Sequence, residues 1–79
     1  MTFEEKVKFL RSLPKFKVTP ISEVKAVAFA AKEKTRPRKG DFVLGRTETL
    51  ALILSEEDIK RIIRVYPDLA SKLGSLMLT

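Results

Sequence analysis

Seventy-nine residues with sixteen Lys/Arg against ten Asp/Glu give a chain of net charge +6, enough for one domain spanning 1–79 and no more. A hydrophobic fraction of 44% is too high for a disordered chain. Cysteine and histidine are both absent, which excludes disulfides, thiolate metal sites, thiol nucleophiles and the usual general acid/base.

Catalysis would have to rest on carboxylates, lysine, tyrosine or hydroxyls, and no motif arranges them. Ser12, Ser22, Ser55, Ser71 and Ser75 have no histidine to activate them. Gly40, Gly45 and Gly74 are isolated, so there is no glycine-rich phosphate loop. The expectation is a non-enzymatic protein with no cofactor, no metal and no small-molecule substrate. Tryptophan, asparagine and glutamine are missing as well, while Lys, Arg and Glu abound; this is the thermophile pattern and points to an archaeal source. No stretch approaches the roughly twenty apolar residues that span a bilayer, and the N-terminus lacks a signal-peptide core. A cytoplasmic protein without membrane contact is expected.

Residues 2–13 read as a helix. Thr2 and Glu5 make a capping box, Phe3, Val7, Leu10 and Leu13 share one face, and Pro14 ends it. Residues 15–19 alternate charged and apolar, as a short edge strand or a plain connection. For 20–34 helix is favoured over strand. Thr19-Pro20 suits a helix opening and Ile21, Val24, Val27 or Ala28, and Ala31 recur at helical spacing. Phe29 then falls on the wetter side.

Residues 35–41 are a loop, with Pro37 and Gly40-Asp41 as turn residues. Phe42 to Leu44 and 47–54 read as the strands of a hairpin, with Gly45-Arg46 as its two-residue turn. The second half of 47–54 is apolar on both faces and should be buried. Ser55 with Glu56, Glu57 and Asp58 opens a helix whose inner face is Ile59, Ile62, Ile63 and Tyr66. Pro67 opens another short helix carrying Leu69, Leu73 and Leu76 inward. Gly74 ends it, and 75–79 form a loose or strand-like tail. The fold class is α+β: one or two N-terminal helices, a small antiparallel sheet centred on a 42–54 hairpin, and two short C-terminal helices. A winged helix would use 41–54 as its wing, but it needs a helix-turn-helix just before the wing, and only one helix is evident there.

Charge is unevenly shared. Residues 1–46 hold twelve Lys/Arg and five Asp/Glu, residues 47–79 four and five. The densest window holds Lys32, Lys34, Arg36, Arg38, Lys39 and Arg46 against Glu33 and Asp41. Such a cluster repels itself unless a polyanion lies nearby, and phosphate backbones are the commonest one. These six are the candidate nucleic-acid-binding residues. Phe29 and Phe42 flank the window as possible stacking aromatics, although core packing is the expectation for both. Lys60, Arg61 and Arg64 instead suit the end of their own helix and its acids one turn earlier. The order Arg36-Pro37-Arg38-Lys39-Gly40 resembles the AT-hook motif over five residues, with proline where that motif has glycine, and nothing is carried over from it.

The usual adenine readers, Asn and Gln, are absent, so binding without sequence preference is expected. The alternative is an accessory subunit of a nucleic-acid-processing complex, or a homodimer. Its apolar C-terminal half would meet a protein, and an unpaired strand or the tail would add to a partner's sheet.

Overall fold

The computed structural model describes the backbone of residues 1–77 and the side chains of residues 1–74. Helix α1 (Phe3–Ser12) starts at the expected capping box: the Glu5 N–H donates to the Thr2 hydroxyl and the Thr2 N–H donates to the Glu5 carboxylate. Leu10 is buried, with Val7, Phe9 and Leu13 packed around the same core, whereas Phe3 stays in solvent. Pro14 ends the helix and begins a 3-10 turn, Pro14–Phe16. The edge strand considered for 15–19 is therefore not formed. The turn drives Phe16 into the core with no exposure and leaves Val18 87% exposed. Arg11 secures it, its guanidinium donating to the carbonyls of Phe16 and Thr19.

Helix α2 (Ile21–Ala30) settles the ambiguous segment as helix for its first part. Thr19 does not cap it. Its buried hydroxyl donates to the Lys15 carbonyl and accepts from the Lys72 ammonium, while Pro20 holds the N-cap position. At the other end the Lys6 ammonium donates to the Ala31 carbonyl at 2.8 Å, where a cation complements the helix dipole.

The last three residues of that segment are strand β1 (Lys32–Lys34), which joins β2 (Asp41–Arg46) and β3 (Ala51–Ser55) in an antiparallel sheet of order β1-β3-β2. The hairpin turn lies later than expected. Gly45-Arg46 belong to β2, and residues 47–50 make the turn. The Thr47 N–H donates to the Leu50 carbonyl at 2.7 Å, and the Thr47 hydroxyl accepts from the Leu50 N–H at 3.0 Å. Gly45 is in the strand because α1 lies against it: a Cβ there would stand 2.9 Å from the Phe9 ring. The register shifts between Val43 and Gly45, so Leu44 is the extra residue of a bulge.

The Ser55 hydroxyl accepts from the Asp58 N–H at 3.1 Å and starts α3 (Glu56–Val65), a cap worth about 1 kcal/mol. A 3-10 turn, Pro67–Leu69, leads into α4 (Ala70–Met77). This helix runs through Gly74 rather than ending there; one interior glycine costs about 1 kcal/mol, less than burying Leu69 and Leu73 returns. Residues 75–77 are helical, not strand-like. The side chains of Leu76 and Met77, and residues 78 and 79, lie outside the described residues. Leu52 and Leu54 join Leu10, Phe16, Val24, Val27, Ile59, Leu69 and Leu73 in one core. Among the described residues, Leu52, Leu54, Ile59, Ile62, Leu69 and Leu73 of the apolar C-terminal half thus fill this α+β domain's own interior.

Candidate functional site

The strand register sorts the window 32–46 onto two sheet faces. Side chains alternate along a strand, and directly paired residues share a face. Leu52 and Leu54 face the helices, together with Glu33, Phe42 and Gly45 opposite them. Lys32, Lys34, Asp41, Val43 and Arg46 pair with Ile53, Ala51 and Ser55 and so share the opposite face, turned away from the core that the helices build on Leu52 and Leu54.

Ala51 and Ile53 on that face are nonetheless only 1% exposed. The chain path explains their cover. β1 ends level with Ala51, and β2 begins level with Ser55 on the far side of β3. Residues 35–40 must run back along the sheet while stepping across β3, and the helices already fill the other face. The basic loop therefore lies over Ala51 and Ile53. The Lys34 side chain spans the same face, its ammonium reaching the Asp41 carboxylate at 2.9 Å from across β3.

The loop is held at its far end by Asp41. The same carboxylate accepts the Arg38 N–H at 2.8 Å, and the Asp41 N–H donates to the Arg38 carbonyl at 3.0 Å. Gly40 closes this turn at φ 95°, and no other described residue has a positive φ. A left-handed residue at that position alone is what a type II turn demands, and glycine takes it without strain. The Arg38 N–H hydrogen bond, then the Lys34 ammonium, hold the Asp41 carboxyl below the usual aspartate range. Asp41 is therefore an anion well below neutral pH and keeps its grip on the loop there.

Of the six candidate cations, Lys34 alone has a carboxylate partner among the described residues. Its role is to hold the loop. Lys32, Arg36, Arg38, Lys39 and Arg46 are exposed. The other carboxylate of the window, Glu33, points to the helix side and meets the amino terminus of Met1. Glu48, in the 47–50 turn, forms no ion pair with Arg46. The register thus puts Lys32 and Arg46 on the same face as the Lys34–Asp41 pair, and Arg36, Arg38 and Lys39 are exposed along the loop that joins β1 to β2. The second cation group behaves as its helix position suggested: Lys60 pairs with Glu56 at 3.2 Å and Arg61 faces Asp58 at 3.9 Å.

Sequence reasoning misjudged one residue here. Phe29 is 86% exposed rather than packed in the core; it borders a 440 Å³ apolar groove between α2 and α3. The signal was present, because the helical reading put Phe29 on the wetter face. Phe42 is half-buried and packs against the core, as expected. Helices α1 and α2 both precede the hairpin, but eight residues, 13–20, separate them and β1 follows α2, unlike the short turn of a helix-turn-helix just before a wing.

No cluster of His, Cys, Asp or Glu suited to a metal ion occurs among the described residues, and none of their helices is long and apolar enough to cross a membrane. Comparison with known proteins finds no family model that matches the chain, and no curated protein or solved structure similar to it.

Proposed function

We propose that this protein binds nucleic acid along the phosphate backbone, without reading base sequence, through the sheet face that carries the 35–40 loop. The observation that supports this reading is five exposed cations on β1, β2 and the loop that joins them, with the Asp41 carboxylate between them already engaged by Lys34. Like charges so placed repel one another, and a polyanion relieves the repulsion while releasing its own counterions.

The loop is also prepared for docking. Pro37 restricts it, and the Lys34–Asp41 pair and the Arg38–Asp41 turn tie it to the sheet. Little further conformational entropy is lost on binding. Lys32 and Arg46 lie on opposite edge strands, so the face offers phosphate contacts across the full width of the sheet. The absence of Asn and Gln from the whole chain leaves adenine without its usual readers and agrees with nonspecific binding.

An amide NMR titration with a short DNA duplex tests the reading. The shifts that move are expected in 32–46, above all in 35–40, with α1 and α4 unaffected. Movement confined to the helices, or none at low salt, overturns it.

A further inference from the structure

Phe29 is the most exposed of the five phenylalanines, although burial of such a side chain is worth about 2–3 kcal/mol. It lines the groove between α2 and α3, whose wall includes Tyr66, Val65 and three charged residues, Lys32, Arg61 and Asp58. The volume of 440 Å³ falls within the range of roughly 300–1,000 Å³ typical of small-molecule sites.

The charge around this apolar surface is not balanced. Lys25 lies one helical turn before Phe29 on α2 and is exposed. Lys32 follows three residues later. Arg61 faces the wall's one carboxylate, Asp58, at 3.9 Å, and neither Lys25 nor Lys32 has a carboxylate partner among the described residues. An apolar, aromatic surface between unpaired cations suits an occupant that is flat and uncharged at one end and anionic at the other. A nucleobase on its phosphodiester has that chemistry. Lys32 gives continuity, because it belongs both to the groove wall and to the cationic sheet face.

We infer that the groove takes an unpaired nucleobase stacked on Phe29, so that the protein prefers single-stranded to duplex nucleic acid. This rests on the sheet face being the phosphate-binding surface. A duplex hides its base faces and contacts the cations alone; a single strand engages both surfaces.

Tyr66 is the only tyrosine and the chain has no tryptophan, so tyrosine fluorescence reports on this groove and nowhere else. The full chain is titrated at low salt with a twelve-nucleotide oligothymidylate and with a duplex of equal length. The single strand is expected to quench Tyr66 and to bind more tightly; the duplex is expected to bind without quenching. Phe29→Ala lowers single-strand affinity by roughly tenfold and leaves duplex affinity unchanged. Being so exposed, Phe29 is not needed for folding, and an unchanged melting temperature verifies that. Equal affinity for strand and duplex with Tyr66 undisturbed overturns the groove assignment while the sheet-face reading stands. Binding to neither overturns both. Quenching by an acidic amphipathic peptide, and not by the oligonucleotide, overturns it in favour of a protein partner.

Discussion

Replacing Arg36, Arg38 and Lys39 together with alanine is expected to lower affinity for a DNA duplex by roughly 10²–10³-fold at 0.1 M salt. Each phosphate contact on B-DNA contributes about 0.9 to the slope of log affinity against log salt, so three lost contacts remove about 2.7. The effect should be electrostatic and not a loss of fold. All three residues are exposed, and their side chains form no ion pair among the described residues. The turn that shapes the loop is made by the backbone of Arg38, by Gly40 and by the Asp41 carboxylate, all of which remain. The melting temperature should stay where it is or rise slightly as the repulsion is relieved. Lys34 is left in place because it secures Asp41. Unchanged affinity in a folded variant would remove the loop from the binding surface.

The second large effect is structural. Phe16→Ala should cost about 3–5 kcal/mol, the usual range for emptying a fully buried phenylalanine site. At about 0.05–0.15 kcal/mol per residue, a domain of this length has roughly 4–12 kcal/mol in all. One substitution in a three-residue turn therefore consumes much of the stability. Phe16 has no exposure and touches the core shared by both sheet and helices. Arg11 and the buried Thr19 close the chain behind it, so the site cannot collapse easily. Urea unfolding with an unchanged slope and a lowered midpoint is the expected record. A loss below about 1 kcal/mol would mean that the turn is docked loosely.

How far such features were legible in the sequence depended on whether the signal was local. Thr2 with Glu5, and Ser55 with its acids, are capping patterns in which both partners lie within one turn, and both form as expected. The buried half of the second hairpin strand was equally plain from its unbroken apolar run. Phe16 was not, because charged-apolar alternation over 15–18 satisfies a strand period as well as a 3-10 turn does. Only the absence of a neighbouring strand decides between them, and that is a tertiary fact. The misplaced hairpin turn has a similar cause. Gly45 reads as a turn residue, but the glycine is needed because Phe9 of a distant helix lies against the strand. Strand β1 was missed since three charged residues carry no pattern of their own; they are strand only because β3 offers a free edge.

The cationic window itself was fully legible, whereas its arrangement was not. Nothing local says that residues 35–40 recross β3, or that Lys34 and Asp41 meet over it. The crossover turns a run of charge along the chain into a charged face. It also separates Lys34, which fastens the loop, from the five cations that have no carboxylate partner among the described residues.

The central claim is that those five act together on a polyanion, and the dependence of duplex affinity on salt tests it most directly. Five phosphate contacts predict a log–log slope of roughly −4.5, falling to about −2 in the Arg36, Arg38 and Lys39 variant. A wild-type slope near zero, or one that the triple substitution leaves unaltered, contradicts it.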